Sequence, residues 1–343
     1  MYNNILIVKL SAIGDVIHAL PVAHALKKCF PKSRITWVVE RPAYDLLTNN
    51  PDIDEILIFD KPKFKSLSGM IRYAPSFIKR LREDKFDLAL DLQGLFKSSM
   101  ISLLSGADKR LVYENAREGS HLLSKRIIGT YSKEHVVDRY LDVVRSLGCQ
   151  VDKAMFNVVI TLEEKELTRR IAAQAGLNIE MPYVVLALGA NWPNKIWPFE
   201  HFAELSNKLY DTNRIPVMIG GSGDKVLAEQ ISSMTKIPPI DLTGKTTLKQ
   251  LAYVIQKAQA FIGGDTGPMH LSTAVGTPTL ALMGPTDPAR NGPYGKGHEI
   301  LITPRDCAGC WQRSCPKKLD CLDVITPETV HNQVKILLER REV

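Results

Sequence analysis

The sequence predicts an α/β protein built from two doubly wound, Rossmann-like halves facing each other across a cleft. Three observations carry that expectation. Short runs rich in Val, Ile and Leu alternate with stretches of helical spacing along nearly the whole chain, the pattern of parallel sheets covered by helices. The chain has 343 residues, too many for one ordinary core, so two domains of roughly 150 residues each are expected. Several apolar runs stop at turns containing Gly, Asp or Thr and restart as helices, and such strand ends are where open α/β sheets bind ligands.

Taken in order, residues 5–10 form a short buried strand and 11–15 its turn. Val16, Ile17, Leu20, Ala23 and Leu26 then give the apolar spacing of a helix that runs to Phe30-Pro31. Further strands are expected at 34–40, 55–59 and 86–92, and a helix at 136–147 with the segment 156–161 closes this half. Residues 169–177 read as helix and 178–182 as linker. The second series has strands at 183–188, 215–219, 240–242, 260–262 and 279–282, with helices at 199–210, 225–234, 248–256 and 269–275. The domain limits are therefore 1–165 and 178–325, and residues 326–343 form a closing helix that is a candidate to cross back to the first half. No internal repeat or low-complexity tract is present.

Hydrophobic and charged contents of 45% and 24% are those of a globular chain, which excludes disordered and fibrous classes. No apolar run reaches the ~18–20 residues of a membrane span, and no signal peptide opens the sequence, so a cytoplasmic protein is expected. The net charge is +7. Lys61, Lys63, Lys65, Arg72, Lys79, Arg80, Arg82 and Lys85 crowd one stretch, interleaved with Phe64, Leu67, Met70, Ile71, Phe77 and Ile78. Basic residues mixed with apolar ones suit the surface of an anionic bilayer, and equally a solvated helix face whose stems cover the core. No nucleic-acid-binding signature is present, so no nucleic acid partner is expected.

The turns carry the chemistry. Residues 261–270 run from a strand through Gly263-Gly264-Asp265-Thr266-Gly267 into a helix with Pro268 in its first turn, where proline is tolerated. A helix start of this kind offers free N–H groups and the positive end of its dipole to a phosphate, although Asp265 or Thr266 could equally serve only as the helix cap. Asp15 sits in the corresponding turn of the first half, as a candidate base or a dipole partner, with His18 one helical turn on. Gly220-Gly-Ser-Gly-Asp224 resembles a dinucleotide turn but lacks the G-x-G-x-x-G spacing; Asp224 is a candidate nucleotide contact. Gly244-Lys245-Thr246 is not a P-loop, because the glycine required five residues before the Gly-Lys pair is Pro239. Lys195, in the stiff aromatic loop from Asn191 to Pro198, could neutralise a diphosphate as a point charge. Cys307, Cys310, Cys315 and Cys321 are spaced closely enough for a structural zinc site, though reduced thiols or other pairings together stand ahead of it. Cys29 and Cys149 read as thiols packed on helices.

The run from Ile7 to Pro21, with Asp265-Thr266-Gly267-Pro-Met-His270 and Gly284-Pro-Thr-Asp287, resembles glycosyltransferase family 9, the bacterial heptosyltransferases of lipopolysaccharide core assembly. Trp37 to Glu40, Asp91 to Ser98, Ala116-Arg117-Glu118 and His135 to Arg139 are most similar to the heptosyltransferase I branch, which moves L-glycero-D-manno-heptose from its ADP-sugar to the first Kdo of Kdo2-lipid A. The resemblance covers nearly the whole chain and implies the GT-B fold. It implies an inverting, metal-independent transfer with no cofactor, on the cytoplasmic face of the inner membrane. By position, Asp15 resembles the catalytic base. Lys195, Asp265, Thr266, Gly267 and His270 resemble donor contacts around diphosphate and heptose, with Asp224 and Thr246 aligned more loosely near the adenosine. Arg117, His135, Arg139, Lys61, Lys63, Lys65 and Arg72 fall on the acceptor side, where Kdo carboxylates and lipid A phosphates are bound. There are two departures: residues 191–194 lack the family's threonine-containing form, and the cysteine cluster is foreign to the heptosyltransferase I branch, although other members have similar ones. The cluster leaves another sugar or acceptor open, and a GT-B-fold epimerase or a nucleotide-sugar binding protein is the alternative from another class.

Overall fold

The computed structural model describes residues 2–342, which divide into two compact units, Met1–Val159 and Ile160–Val343. The first unit holds six parallel strands: β1 Asn4–Val8, β2 Arg34–Val39, β3 Glu55–Ile58, β4 Leu88–Asp91, β5 Lys109–Val112 and β6 Lys125–Arg126. Their spatial order is β3-β2-β1-β4-β5-β6. The second unit holds β7 Tyr183–Ala187, β8 Ile215–Ile219, β9 Ile240–Asp241, β10 Ala260–Gly264, β11 Thr279–Met283 and β12 Glu299–Ile302, in the order β12-β11-β10-β7-β8-β9. Counted from its own first strand, each sheet therefore runs 3-2-1-4-5-6, the doubly wound order of Rossmann folds. The register is continuous across the middle of each sheet, with Val8 opposite Asp91 in one and Ala187 opposite Gly263 in the other.

This topology fixes where ligands can bind. The chain reverses direction of winding between β1 and β4, and again between β7 and β10, and a crevice opens beyond the carboxyl ends of each pair. Central strands are covered by helices on both faces, which is why β1, β7, β10 and β11 read as unbroken apolar runs. Leu6, Val8, Val38 and Ala89 anchor one core of the first unit, and Leu186, Ile262, Leu280 and Phe202 that of the second.

The structure departs from the sequence reading at several points. The helix Leu162–Gln174 and residues 178–182 belong to the second unit rather than preceding it as helix and linker. Thr168, Ala172, Leu177 and Ile179 are buried, and Glu164 pairs with Lys249 at 3.5 Å. The closing helix Pro327–Glu342 is built into the second unit's core through Val330, Val334, Leu337 and Leu338. β5, β6 and β12 add strands that the sequence pattern hides. Cys29 and Cys149 are not free thiols: they form a disulfide that ties the end of the helix Ile13–Cys29 to the segment after the helix Val136–Arg145. No helix among the described residues is long and apolar enough to cross a membrane.

Candidate functional site

In the first unit, Asp15 lies in the first turn of the helix Ile13–Cys29, directly after β1, and is half-buried. Its Oδ2 accepts from the Ala12 N–H at 3.2 Å, which holds the carboxylate in the turn. A second residue sets that turn. Gln93, at the end of β4, accepts through Oε1 from the N–H groups of Leu10 and Ser11, both at 3.1 Å. Gln93 is in turn placed by Asp91, whose Oδ1 accepts from the backbone of Gln93 and Gly94 and whose Oδ2 accepts from Ser98 and Ser99 hydroxyls. Burial raises the Asp91 carboxyl above its ordinary value even against those four donors. Gln93 was legible as a residue at the strand end, but its role in shaping the Asp15 turn was not. Lys9 was likewise missed. It is fully buried, with its ammonium donating to the Leu92 carbonyl at 3.1 Å and the Tyr140 hydroxyl at 2.8 Å.

The expected acceptor residues divide by environment. His135 caps the helix Val136–Arg145 through Nδ1 and meets His18 edge to face, with ring centroids 5.3 Å apart. Arg139 is held by Glu114 at 2.8 Å and by the Glu134 carbonyl, so much of its charge is spent inside the unit. Arg117 is exposed, its backbone tied to the Gly94 carbonyl beside the β4 turn. Lys61 and Lys63 on the turn Lys61–Phe64, Lys65 just after it and Arg72 on the helix Leu67–Glu83 are all exposed. In that helix Leu81 is the one buried residue, while Leu67, Met70 and Ile71 face outward at 75%, 47% and 69% exposure.

In the second unit the sites after β7 and β10 converge. Lys195, in the loop after β7, donates to Asp265 Oδ2 at 2.6 Å and lies 4.5 Å from the Trp192 ring centroid. His270 Nε2 is 3.1 Å from Asp265 Oδ1, and the Thr286 hydroxyl donates to Oδ2 at 2.7 Å. Burial alone would raise the Asp265 carboxyl, but the His270 contact and the Lys195 charge more than offset it and hold it far below the usual carboxylate range. Lys195 is a charge with a partner. One of its donors is committed to Asp265, which aims the ammonium. Gly264 is required at this point, because a side chain there would run into the Lys195 carbonyl. Thr266 caps the helix Gly267–Ala274 with extended backbone, and its hydroxyl is buried without a hydrogen-bond partner in the protein.

Asp224 and Thr246 lie in other turns of the second unit, after β8 and after β9. Asp224 turns inward, accepting from the Gly221 N–H at 2.7 Å and filling the space that Gly189 and Gly220 leave open. Its carboxylate shapes its own turn. Thr246 lies in the loop between β9 and the helix Leu248–Lys257, whose cap is Thr247. Cys307, Cys310, Cys315 and Cys321 are free thiols, and no group of three or more metal-ligating side chains gathers among the described residues.

Comparison with known proteins fits this geometry. The model of a family described as glycosyltransferase family 9 (heptosyltransferase) matches residues 75–320. The chain is similar to the lipopolysaccharide core heptosyltransferase OpsX of Haemophilus influenzae, 27% identical over 87% of this chain and 84% of that protein. A solved glycosyl transferase family 9 structure from Veillonella parvula superposes with a TM-score of 0.86 at 25% identity, covering 98% of both chains. The E. coli heptosyltransferase WaaC, solved with ADP, shares the fold at a TM-score of 0.78 and 23% identity, covering 97% of this chain and 99% of that one.

Proposed function

The chain belongs to glycosyltransferase family 9, a family of heptosyltransferases with the GT-B fold, and on that footing we propose that it moves heptose from ADP-L-glycero-D-manno-heptose to Kdo of Kdo2-lipid A. The observation that carries the reading is the Lys195–Asp265–His270–Thr286 cluster at the carboxyl ends of β7 and β10, beside a helix start with a buried, unpartnered threonine hydroxyl. Such a site suits a diphosphate: a fixed ammonium and backbone N–H groups compensate negative charge without reorganising. The solved relative with ADP supports the choice of nucleotide.

In the proposed reaction Asp15 takes the proton of the acceptor hydroxyl as its oxygen attacks the anomeric carbon. The bond from that carbon to the diphosphate breaks on the opposite face, and ADP leaves with the electron pair. Lys195 and the N–H groups around Thr266 and Gly267 stabilise the charge on the leaving group, so the step requires neither a divalent ion nor a cofactor. His270 keeps Asp265, and through it Lys195, in place. Asp224 and Thr246 serve the adenosine end, Asp224 by shaping its turn. Arg117 contributes to binding the acidic acceptor, and His135 and Arg139 support it by fixing the start of the helix Val136–Arg145.

The acceptor is a lipid, and the helix Leu67–Glu83 fits an anionic membrane surface on the cytoplasmic side. Its exposed Leu67, Met70 and Ile71 lie beside Lys61, Lys63, Lys65 and Arg72. One assay tests donor and surface together. With Kdo2-lipid A in vesicles, ADP-heptose should be consumed and other nucleotide sugars should not. Anionic lipid should lower the apparent acceptor KM, and Lys61→Gln/Lys63→Gln/Lys65→Gln should remove that effect. Preferential use of another sugar would redirect the donor assignment, and KM values indifferent to lipid charge would refute the membrane contact. The cysteine-rich segment favours a second reading, a family 9 transferase for a different sugar, and the same panel decides between them.

A further inference from the structure

We propose that the cysteine-rich segment 305–321 is the wall that selects the sugar of the donor, with Trp311, stacked on Arg290, as its recognition surface. This rests on the reading of the Lys195–Asp265 cluster as the donor site.

Two hydrogen bonds place the segment. Asn194 donates through Nδ2 to the Gln312 carbonyl at 2.7 Å, and Asn194 is the neighbour of Lys195. The Trp311 N–H donates to the Pro285 carbonyl at 2.7 Å, and Pro285 is the neighbour of Thr286. Lys195 and Thr286 both bind Asp265 Oδ2. Residues 311 and 312 are thus pinned to both loops that hold the carboxylate at the centre of the cluster. Two more contacts fix the rest of the segment: the Gly309 N–H donates to the Gly284 carbonyl at 2.9 Å, and buried Cys321 packs so closely on Gly284 that a Cβ there would come within 2.7 Å of its sulfur.

The chemistry of Trp311 suits a sugar. It adopts a left-handed backbone conformation with φ of 57°, unusual for a bulky residue, which the surrounding hydrogen bonds must hold. Its ring lies 5.2 Å from the Arg290 guanidinium, yet 42% of the residue is exposed. An aromatic plate left partly exposed next to the loops that hold Asp265 offers apolar contact to the C–H face of a pyranose, while a diphosphate has no use for it. The segment therefore acts on the sugar and leaves nucleotide binding to the cluster.

The test compares wild type, Trp311→Leu and Trp311→Phe by the Kd of ADP and the KM of whichever ADP-sugar the wild type turns over. Trp311→Leu should raise the KM about tenfold with the Kd of ADP and the melting temperature unchanged, and Trp311→Phe should recover most of the loss. Exposed Cys310 gives a second readout: N-ethylmaleimide labelling of that thiol in the wild type should be slowed by the ADP-sugar and not by ADP. Equal weakening of ADP and ADP-sugar, or no change in either, would overturn the sugar wall while leaving the donor site in place. A wild type that binds neither would overturn the donor site and the wall with it.

Discussion

Asp15→Asn is expected to lower kcat by on the order of 10²–10⁴ while the Kd of ADP stays within about twofold. The asparagine keeps the size of the side chain but cannot accept the acceptor's proton. The fold has no cause to respond strongly, because Asp15 is half-buried and makes a single hydrogen bond, to the Ala12 N–H. The turn itself is fixed from elsewhere, by Gln93 on the backbone of Leu10 and Ser11. Steady-state kinetics with isothermal titration of ADP checks this. A variant retaining near-normal kcat would show that the proton leaves by another route.

Asp265→Asn should damage both donor binding and stability. Asp265 is the acceptor shared by Lys195, His270 and Thr286, and its removal leaves a largely buried ammonium without its counter-charge. Breaking a buried pair in this way costs roughly 3–5 kcal/mol. The pH dependence follows from the direction of the shift. The folded-state carboxyl lies well below its unfolded value of about 3.9, so its stabilisation is complete above about pH 4 and is lost as pH falls through the folded value. Chemical denaturation should therefore show the largest gap between wild type and Asp265→Asn near neutrality, narrowing below about pH 4. A gap that does not change with pH would mean the carboxylate's charge is not what stabilises the cluster.

Much of this was legible in the chain because buried parallel strands are written in unbroken apolar residues. The runs that became β1, β4, β7, β10 and β11 name themselves, and Asp15, Gln93, Lys195 and Asp265 follow them at the turns where the winding reverses. What was hidden had weaker signals. β5 and β6 are short and carry Lys109, Arg110, Lys125 and Arg126, and β12 exposes Ile300 and Ile302 at a sheet edge, so none looks like a core strand. Residues 178–182 have the polar and proline content of a linker, yet Leu177 and Ile179 are buried, and only packing reveals that. Asp224 was legible as a residue of a glycine-rich turn, but the close packing of its side chain against Gly189 and Gly220 was not, because Gly189 lies 35 positions earlier in the chain. The disulfide joins residues 120 positions apart, a distance over which sequence carries no pairing information. The side-chain partners of Lys195 were out of reach for the same reason, since Asp265 lies 70 residues away.

In the proposed reaction a general base and fixed positive groups, with no metal ion, carry out a single displacement at the sugar's anomeric carbon. The most direct measurement is the anomeric configuration of the heptosyl linkage formed by the wild-type protein from ADP-heptose and Kdo2-lipid A in EDTA, read by NMR of the product. The proposed displacement requires full activity in the chelator and a linkage inverted relative to the donor. Retained configuration, or activity abolished by EDTA and restored by a divalent ion, would contradict it.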